Sequence, residues 1–307
     1  MAVTTVLGPI RAEDLGPTCM HEHLWIDNGL KFDDDFSVLL NEEGMVLEEL
    51  AHLQRAGGRT VVEVTPEDLG REPAVLRRLS EASGLNIVMG SGYYLEGTFR
   101  HVPQVFKLGT AELAKVIIAE IEEGVDGVRP GIIGEIGSNF PYLSPAEERV
   151  FRASARAHRR TGLPITTHTY RYPVALRQLD ILLDEEGADP SRVIVGHLDS
   201  HPSYAYYEAI LARGAYVQFD MVLPGVFETM ASDTHRIPNI VRLLKDGYGE
   251  RLLISQDMGG RSHLHAFGGA GLDYLLREYV PKLEDAGVTD EQIHQILVAN
   301  PAAVLDV

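Results

Sequence analysis

Short runs of β-branched and apolar residues alternate along the whole chain with longer stretches whose apolar positions recur at helical spacing. The short runs predict eight strands, at 18–23, 59–65, 86–92, 131–137, 163–169, 192–198, 215–220 and 252–257. The longer stretches predict helices at 42–56, 72–83, 110–123, 145–161, 173–186, 203–213 and 235–246, with two more at 271–286 and 290–299. Thr110 and Ser144 read as N-caps, the second followed by Pro145 at the first helical position. Gly57, Gly84, Gly124, Gly162, Gly187, Gly214 and Gly247 fall just past helix ends. Helix, glycine, strand is therefore the repeating unit.

Eight strand–helix units in 307 residues suit a (β/α)8 TIM barrel, an α/β fold that runs near 250 residues before insertions. A doubly wound sheet would place a glycine-rich phosphate loop after the first strand, where Met20-His21-Glu22-His23 stands instead. The first 17 or so residues, with Gly8-Pro9 between two short runs, predict a β-hairpin closing the barrel bottom. With no linker, repeat or low-complexity stretch, residues 1–307 read as one domain.

Composition narrows the function classes. At 45% hydrophobic and 23% charged residues the chain can bury a large core, which excludes a disordered or collagenous protein. A formal net charge of −18 without a Lys/Arg run argues against nucleic acid and anionic membrane as partners. No segment reaches the roughly 18 consecutive apolar residues of a membrane span. The lone Cys19 excludes an intrachain disulfide, and the first residues lack the pattern of a secretory signal, so a cytoplasmic protein is expected.

In such a barrel the reactive groups sit at the C-terminal ends of the strands. Those ends carry His21 and His23, Glu135, His168, His197 and Asp257. Alternation along a strand aims His21 and His23 into the barrel mouth together and turns Glu22 away. Cys19 shares the His21 face on this reading and serves as core filling. Imidazole and carboxylate suit Zn²⁺, Mn²⁺ or Co²⁺, and six such ligands exceed what one four-coordinate zinc takes, so two divalent metal ions are expected. Two such cations against two carboxylates and a hydroxide leave the centre slightly positive, able to attract a polarised carbonyl or phosphoryl oxygen. Burying six ionisable groups in one mouth without a counter-ion would cost several kcal/mol, which disfavours a purely structural set. The remaining histidines read as exposed: His52, His158 and His294 on helices, and His101, His201, His235, His263 and His265 in loops or at helix starts.

The segments Met20-His21-Glu22-His23-Leu24, Gly131-Ile-Ile-Gly-Glu135-Ile-Gly137, Thr166-Thr-His168-Thr, Gly196-His197-Leu-Asp199 and Ser255-Gln-Asp257 together resemble the phosphotriesterase-related proteins of the amidohydrolase superfamily. The resemblance spans essentially the whole chain. It implies that His21, His23 and Asp257 hold the more buried metal, His168 and His197 the more exposed one, and that Glu135 bridges them. Glutamate in place of a carbamylated lysine looks like the glutamate-bridged, phosphotriesterase homology branch, as does Arg261-Ser-His-Leu264 followed by Gly268-Gly-Ala-Gly-Leu-Asp-Tyr274. The positions where some relatives carry a proton relay are Ser200 and Met221 here, so the resemblance places no relay beyond Asp257.

The chemistry expected is hydrolysis of an ester-type bond, carboxyl ester, lactone or phosphoester, by a metal-bridging hydroxide, with Asp257 as catalytic proton carrier. A phosphomonoesterase, a small-substrate phosphodiesterase and a non-catalytic metal-binding protein are the competing readings. Substrate contacts are expected from Tyr93 and Tyr94 after the third strand, from Tyr170 and its neighbours Arg171 and Tyr172 after the fifth, and from Arg261, whose guanidinium fork suits an anion. The expected partner is a small, anionic or neutral molecule. Apolar helix faces on the barrel exterior are compatible with a homodimer.

Overall fold

The computed structural model describes residues 2–27, 39–224 and 232–307. A two-stranded antiparallel hairpin, β1 (Val3–Thr5) and β2 (Gly8–Ile10), precedes eight parallel strands. These are β3 (Thr18–Glu22), β4 (Thr60–Glu63), β5 (Asn86–Ser91), β6 (Ile132–Ser138), β7 (Ile165–Thr169), β8 (Val193–Val195), β9 (Tyr216–Phe219) and β10 (Leu252–Ile254). They pair in sequence order from β3 to β10, so the expected (β/α)8 barrel is the observed fold.

The helices between the strands follow the apolar periodicity: α1 (Glu43–Arg55), α2 (Pro73–Ser83), the single turn α3 (Gln104–Lys107), α4 (Thr110–Glu123), α5 (Pro145–Thr161), α6 (Ala175–Leu179), α7 (Tyr204–Leu211) and α8 (Asp233–Lys245). Ser144 caps α5 as its sequence predicts, accepting from the N–H of Glu147 while Glu147 accepts from the N–H of Ser144. At α4 the cap is Gly109, one residue before the expected Thr110. Among the described residues no helix is long and apolar enough to cross a membrane.

Two apolar layers result. Inside the barrel, Met20, Val62, Val64, Val88, Ile132, Ile194, Tyr216 and Leu253 interdigitate, and Val3, Leu15, Val304 and Leu305 plug the bottom. Outside, Val61, Ile87, Ile133, Ile165, Val193, Val217 and Leu252 meet the helices. Cys19 belongs to this outer layer, so it fills core but does not share the His21 face. Strict alternation fails there because the register of β3 against β4 shifts between Cys19 and Glu22.

The same device recurs on β6, whose register against β7 shifts between Ile133 and Ile136. Gly134 takes φ +120° at the shift, and a Cβ there would lie 2.2 Å from the Thr166 carbonyl oxygen. Only glycine tolerates that backbone, and it lets Glu135 face the mouth while Ile133 and Ile136 both pack outward.

Two histidines expected at the surface are buried. His263 is 8% exposed and its Nδ1 accepts from the Gly259 N–H at 3.0 Å. His158, on the inner face of α5, is 5% exposed; its Nδ1 lies 2.7 Å from the Leu163 carbonyl oxygen and its Nε2 3.1 Å from the Asp189 N–H. That pairing needs the neutral Nδ1–H tautomer, and burial holds the His158 pKa below its ordinary value of 6.5. A depressed folded-state value means the stabilisation is complete above pH 6.5 and is lost as the pH falls through the lower folded value. His158→Leu should cost about 1–3 kcal/mol at neutral pH by orphaning both backbone groups. It should also flatten the acid limb of melting temperature against pH; an unchanged acid limb would show that His158 does not titrate with unfolding.

Candidate metal centre

The barrel mouth brings together all six residues that the strand ends predicted. Glu135, with a side chain 2% exposed, lies at the middle. Its Oε2 is 3.0 Å from His168 Nδ1, 3.4 Å from His197 Nε2 and 3.6 Å from His21 Nε2, and its Oε1 is 3.3 Å from His23 Nε2. Asp257 Oδ1 completes the set at 3.3 Å from His23 Nε2 and 3.7 Å from His21 Nε2. His21 Nε2 is buried and makes no hydrogen bond.

These separations test whether the donor set fits a metal. Most exceed ordinary hydrogen bonds, whereas donors about 2.0–2.2 Å from a tetrahedral cation lie roughly 3.3–3.6 Å apart. The donors fall into two groups that share Glu135, one with His21 and His23 and one with His168 and His197. The residues present therefore fit a pair of divalent cations.

The outer nitrogens of the four rings fix the same picture. His197 Nδ1 is 2.7 Å from Asp220 Oδ1, and His21 Nδ1 is 3.2 Å from Asp220 Oδ2. His23 Nδ1 meets Thr65 Oγ1 at 2.8 Å, and that hydroxyl donates to Glu63. His168 is reversed, with Nε2 at 2.7 Å from Asn139 Oδ1 and Nδ1 toward Glu135. Every ring thus has an outer acceptor that takes its N–H and leaves a lone pair aimed at the mouth.

Charge balance gives the energetic reason. Burial opposes charge on Glu135, but His21, His168 and His197 outweigh it and hold its carboxyl well below the usual carboxylate range. Burial likewise disfavours the imidazolium of His21, yet Glu135 and Asp220 lift its pKa to about 10. His23 is lifted to about 9 against the same burial by Asp257 and Glu135. The buried carboxylates require positive charge beside them, from protons or from metal.

Two of the six sit in strained backbone. His197 and Asp257 both have φ 54°, just past the ends of β8 and β10, so those strands stop earlier than their apolar pattern suggests. Asp220 Oδ1 accepts from the His197 N–H at 2.9 Å. Glu22 secures Asp257: its buried carboxylate accepts from Ser255 Oγ at 2.6 Å, Gln256 N–H at 3.1 Å and Met258 N–H at 2.9 Å. The backbone closes beside it through Asp257 N–H to the His21 carbonyl and His23 N–H to the Met258 carbonyl.

The expected substrate contacts divide. Tyr94 OH is 3.2 Å from His168 Nδ1, and the Tyr170 ring lies 6.1 Å from the His168 ring, with Arg171 over Tyr170. Tyr93 is 1% exposed and packs in the outer apolar layer instead of the mouth. Arg261 spends its donors on the Leu39 carbonyl, Asn41 Oδ1 and Glu42 Oε1, which pins the segment after β10 to the start of α1. These contacts give Arg261 a structural part at the seam beside the expected anion-binding one.

Residue type and spacing missed Glu22, Glu63, Thr65, Asn139 and Asp220. Asp220 carried a usable signal, a carboxylate at a strand end like Asp257; Asn139 carried none, since it lies in a loop four residues after Glu135.

A model of the phosphotriesterase family matches residues 1–305. The phosphotriesterase homology protein of Escherichia coli is 36% identical over 94% of this chain and 97% of its own length. Its crystal structure, with phosphate in the active site, superposes with a TM-score of 0.90 at 35% identity over 95% of this chain and 99% of that one. The N-acetyltaurine hydrolase of Danio rerio is 33% identical over 97% of this chain and 96% of that protein. A lactonase from Listeria monocytogenes superposes with a TM-score of 0.93 at 25% identity over 99% of both chains.

Because Asp220 serves a ligand of each half of the cluster, Asp220→Asn should weaken metal retention by about 10–100-fold. Competition with a chromogenic chelator reads this directly, and wild-type retention would contradict the orienting role.

Proposed function

The chain belongs to the phosphotriesterase family, and we propose that it is a two-metal hydrolase of small acyl compounds, with zinc as the metal and an ester, lactone or N-acetyl amide as the bond cleaved. The observation that carries this is the Glu135 carboxylate, which stands between the two sets of nitrogens, with Oε1 toward His23 and Oε2 toward His168, His197 and, at 3.6 Å, His21. One carboxylate facing two sets of nitrogen donors suits a bridge between two cations. Mn²⁺ and Co²⁺ accept the same ligands.

When bound, two such cations supply Lewis acidity to the scissile oxygen and a water of lowered pKa. The chain supplies the rest. His21, His23 and Asp257 would hold one cation, His168 and His197 the other, and Glu135 would serve both. Asp257 is the most exposed of the six, 15% against 6% or less, so it can carry a proton between the cluster and a leaving group in the open mouth. The Tyr94 phenol stands beside the cluster, and burial, with Glu135 nearby, keeps it protonated by raising its pKa well above 10. It is placed to donate to the oxygen on which charge develops.

Relatives named N-acetyltaurine hydrolase and lactonase support attack at a carbonyl carbon. Arg171, held by its N–H to Ser200 Oγ, brings a guanidinium to the rim that suits an anionic end such as a sulfonate or carboxylate. Phosphomonoester hydrolysis is the second reading, favoured by the phosphate in the Escherichia coli relative's active site.

Elemental analysis of protein purified without added metal should find about two zinc-class ions per chain. Turnover of N-acetyltaurine, simple lactones, carboxyl esters and phosphomonoesters should then single out one acyl class. Protein that neither holds nor takes up metal would overturn the reading. Asp257→Asn should lower kcat by about 10²–10⁴-fold. Near-normal turnover with metal retained would remove Asp257 from its proton-carrying role. Tyr94→Phe should lower kcat roughly ten-fold, as expected for one lost hydrogen bond of about 1.4 kcal/mol. An effect confined to KM would assign Tyr94 to ground-state binding instead.

A further inference from the structure

A second set of donors lies at the seam between α1 and the segment after β10. Glu49 of α1, 2% exposed, accepts from the backbone N–H groups of His265 at 2.7 Å and Leu272 at 3.0 Å. Its two oxygens also lie 3.2 and 3.0 Å from His265 Nδ1. His265 Nε2 then faces Asp273 Oδ1 at 3.3 Å. That oxygen is buried, on a residue 4% exposed, and makes no hydrogen bond; the other oxygen of Asp273 receives Arg277 Nε at 2.9 Å. His52, three residues past Glu49 on α1, stacks on the His265 ring with centroids 4.3 Å apart. One donor atom from each of His52, His265 and Asp273 lies within 4.8 Å of the others. An open pocket of about 370 Å³ is lined by His52 and Asp273 together with Arg55, Ala56 and Arg277.

We propose that His52, His265 and Asp273 form a site for one divalent cation of the zinc class, separate from the cluster in the barrel mouth. The seam repeats the features by which the mouth fits metal. A buried carboxylate, Glu49, takes the Nδ1–H of His265 as Asp220 takes that of His197, which leaves Nε2 with its lone pair. That nitrogen stands 3.3 Å from a carboxylate oxygen without a hydrogen bond, as His23 Nε2 stands from Asp257 Oδ1. A protonated His265 would instead pair its Nδ1–H with Glu49 and its Nε2–H with Asp273 Oδ1 across 3.3 Å, an ion pair in which His52 has no part. A cation among the three donors satisfies that oxygen. Closing the spread to tetrahedral spacing requires His52, which is half-buried, to turn its ring out of the stack.

Two imidazoles and one carboxylate select a zinc-class ion over calcium or magnesium. The position gives the site a role. Asp257 lies eight residues before His265, and α1 follows the segment that begins with His21 and His23, so a cation at the seam ties together the two stretches of chain that close the barrel.

The test uses the metal-loaded protein, equilibrated against zinc buffered in the micromolar range, with zinc per chain measured for wild type, His52→Ala and Asp273→Asn. Each variant should hold one zinc fewer than wild type at unchanged kcat, and added zinc should raise the melting temperature of wild type more than that of either variant. All three proteins carry the same barrel mouth, so the difference of one equivalent does not depend on how many ions the mouth holds. Equal zinc content in all three proteins would reduce the seam to an ion pair of Glu49, His265 and Asp273, and the proposal would fall.

Discussion

A buried carboxylate surrounded by four imidazoles organises this molecule. Glu135 is out of solvent, and its charge is tolerable only with positive charge within a few ångströms on every side. Placing it there requires the register shift of β6 and a glycine at 134 whose backbone lies where a side chain would strike β7. Surrounding it requires each ring to turn one chosen nitrogen inward, which Asp220, Thr65 and Asn139 enforce from behind. The apolar layers supply a rigid frame for these polar contacts, and the contacts determine where the frame departs from ideal alternation.

Closure of the barrel and assembly of the site are one event. β3 and β10 meet through backbone bonds made by His21, His23, Asp257 and Met258, three of which are candidate ligands. Glu22, between the two histidines, holds the incoming segment through three further hydrogen bonds, and its burial lifts its own pKa to about 7. The strain of left-handed backbone at His197 and Asp257 is held in place by such partners, Asp220 for the first and the closing bonds for the second. Further out, Arg261 with Glu42 and His265 with Glu49 fasten the same seam from the side of α1.

The centre is chemically generic, and discrimination lies with the loops above the strands. Tyr94 and Tyr170 reach the His168 side of the cluster and set aromatic and phenolic groups beside it. Tyr93, one residue from Tyr94, faces the opposite way into the helix layer. Neighbouring tyrosines thus have unrelated roles, set by which face of one turn each occupies.

The barrel, its eight strands and the six strand-end residues were legible from the chain alone, because alternation, helical period and glycine punctuation are local physics and because imidazole and carboxylate at strand ends have few other uses. What lay beyond that reading was decided by contacts between residues distant in sequence. Glu22 looked like a residue turned away, and became the clamp on Asp257 only when β10 arrived beside β3. Arg261 looked like an anion receptor, and the fold adds contacts to Asn41 and Glu42 at the start of α1 that its sequence position did not reveal. His158 and His263 looked exposed because a polar side chain on a helix or in a loop usually is; only packing shows that backbone groups wait for them. Side-chain direction after a register shift, and the partner a charged group finds across the fold, are properties of the assembled barrel, since each depends on a neighbour that sequence distance does not reveal.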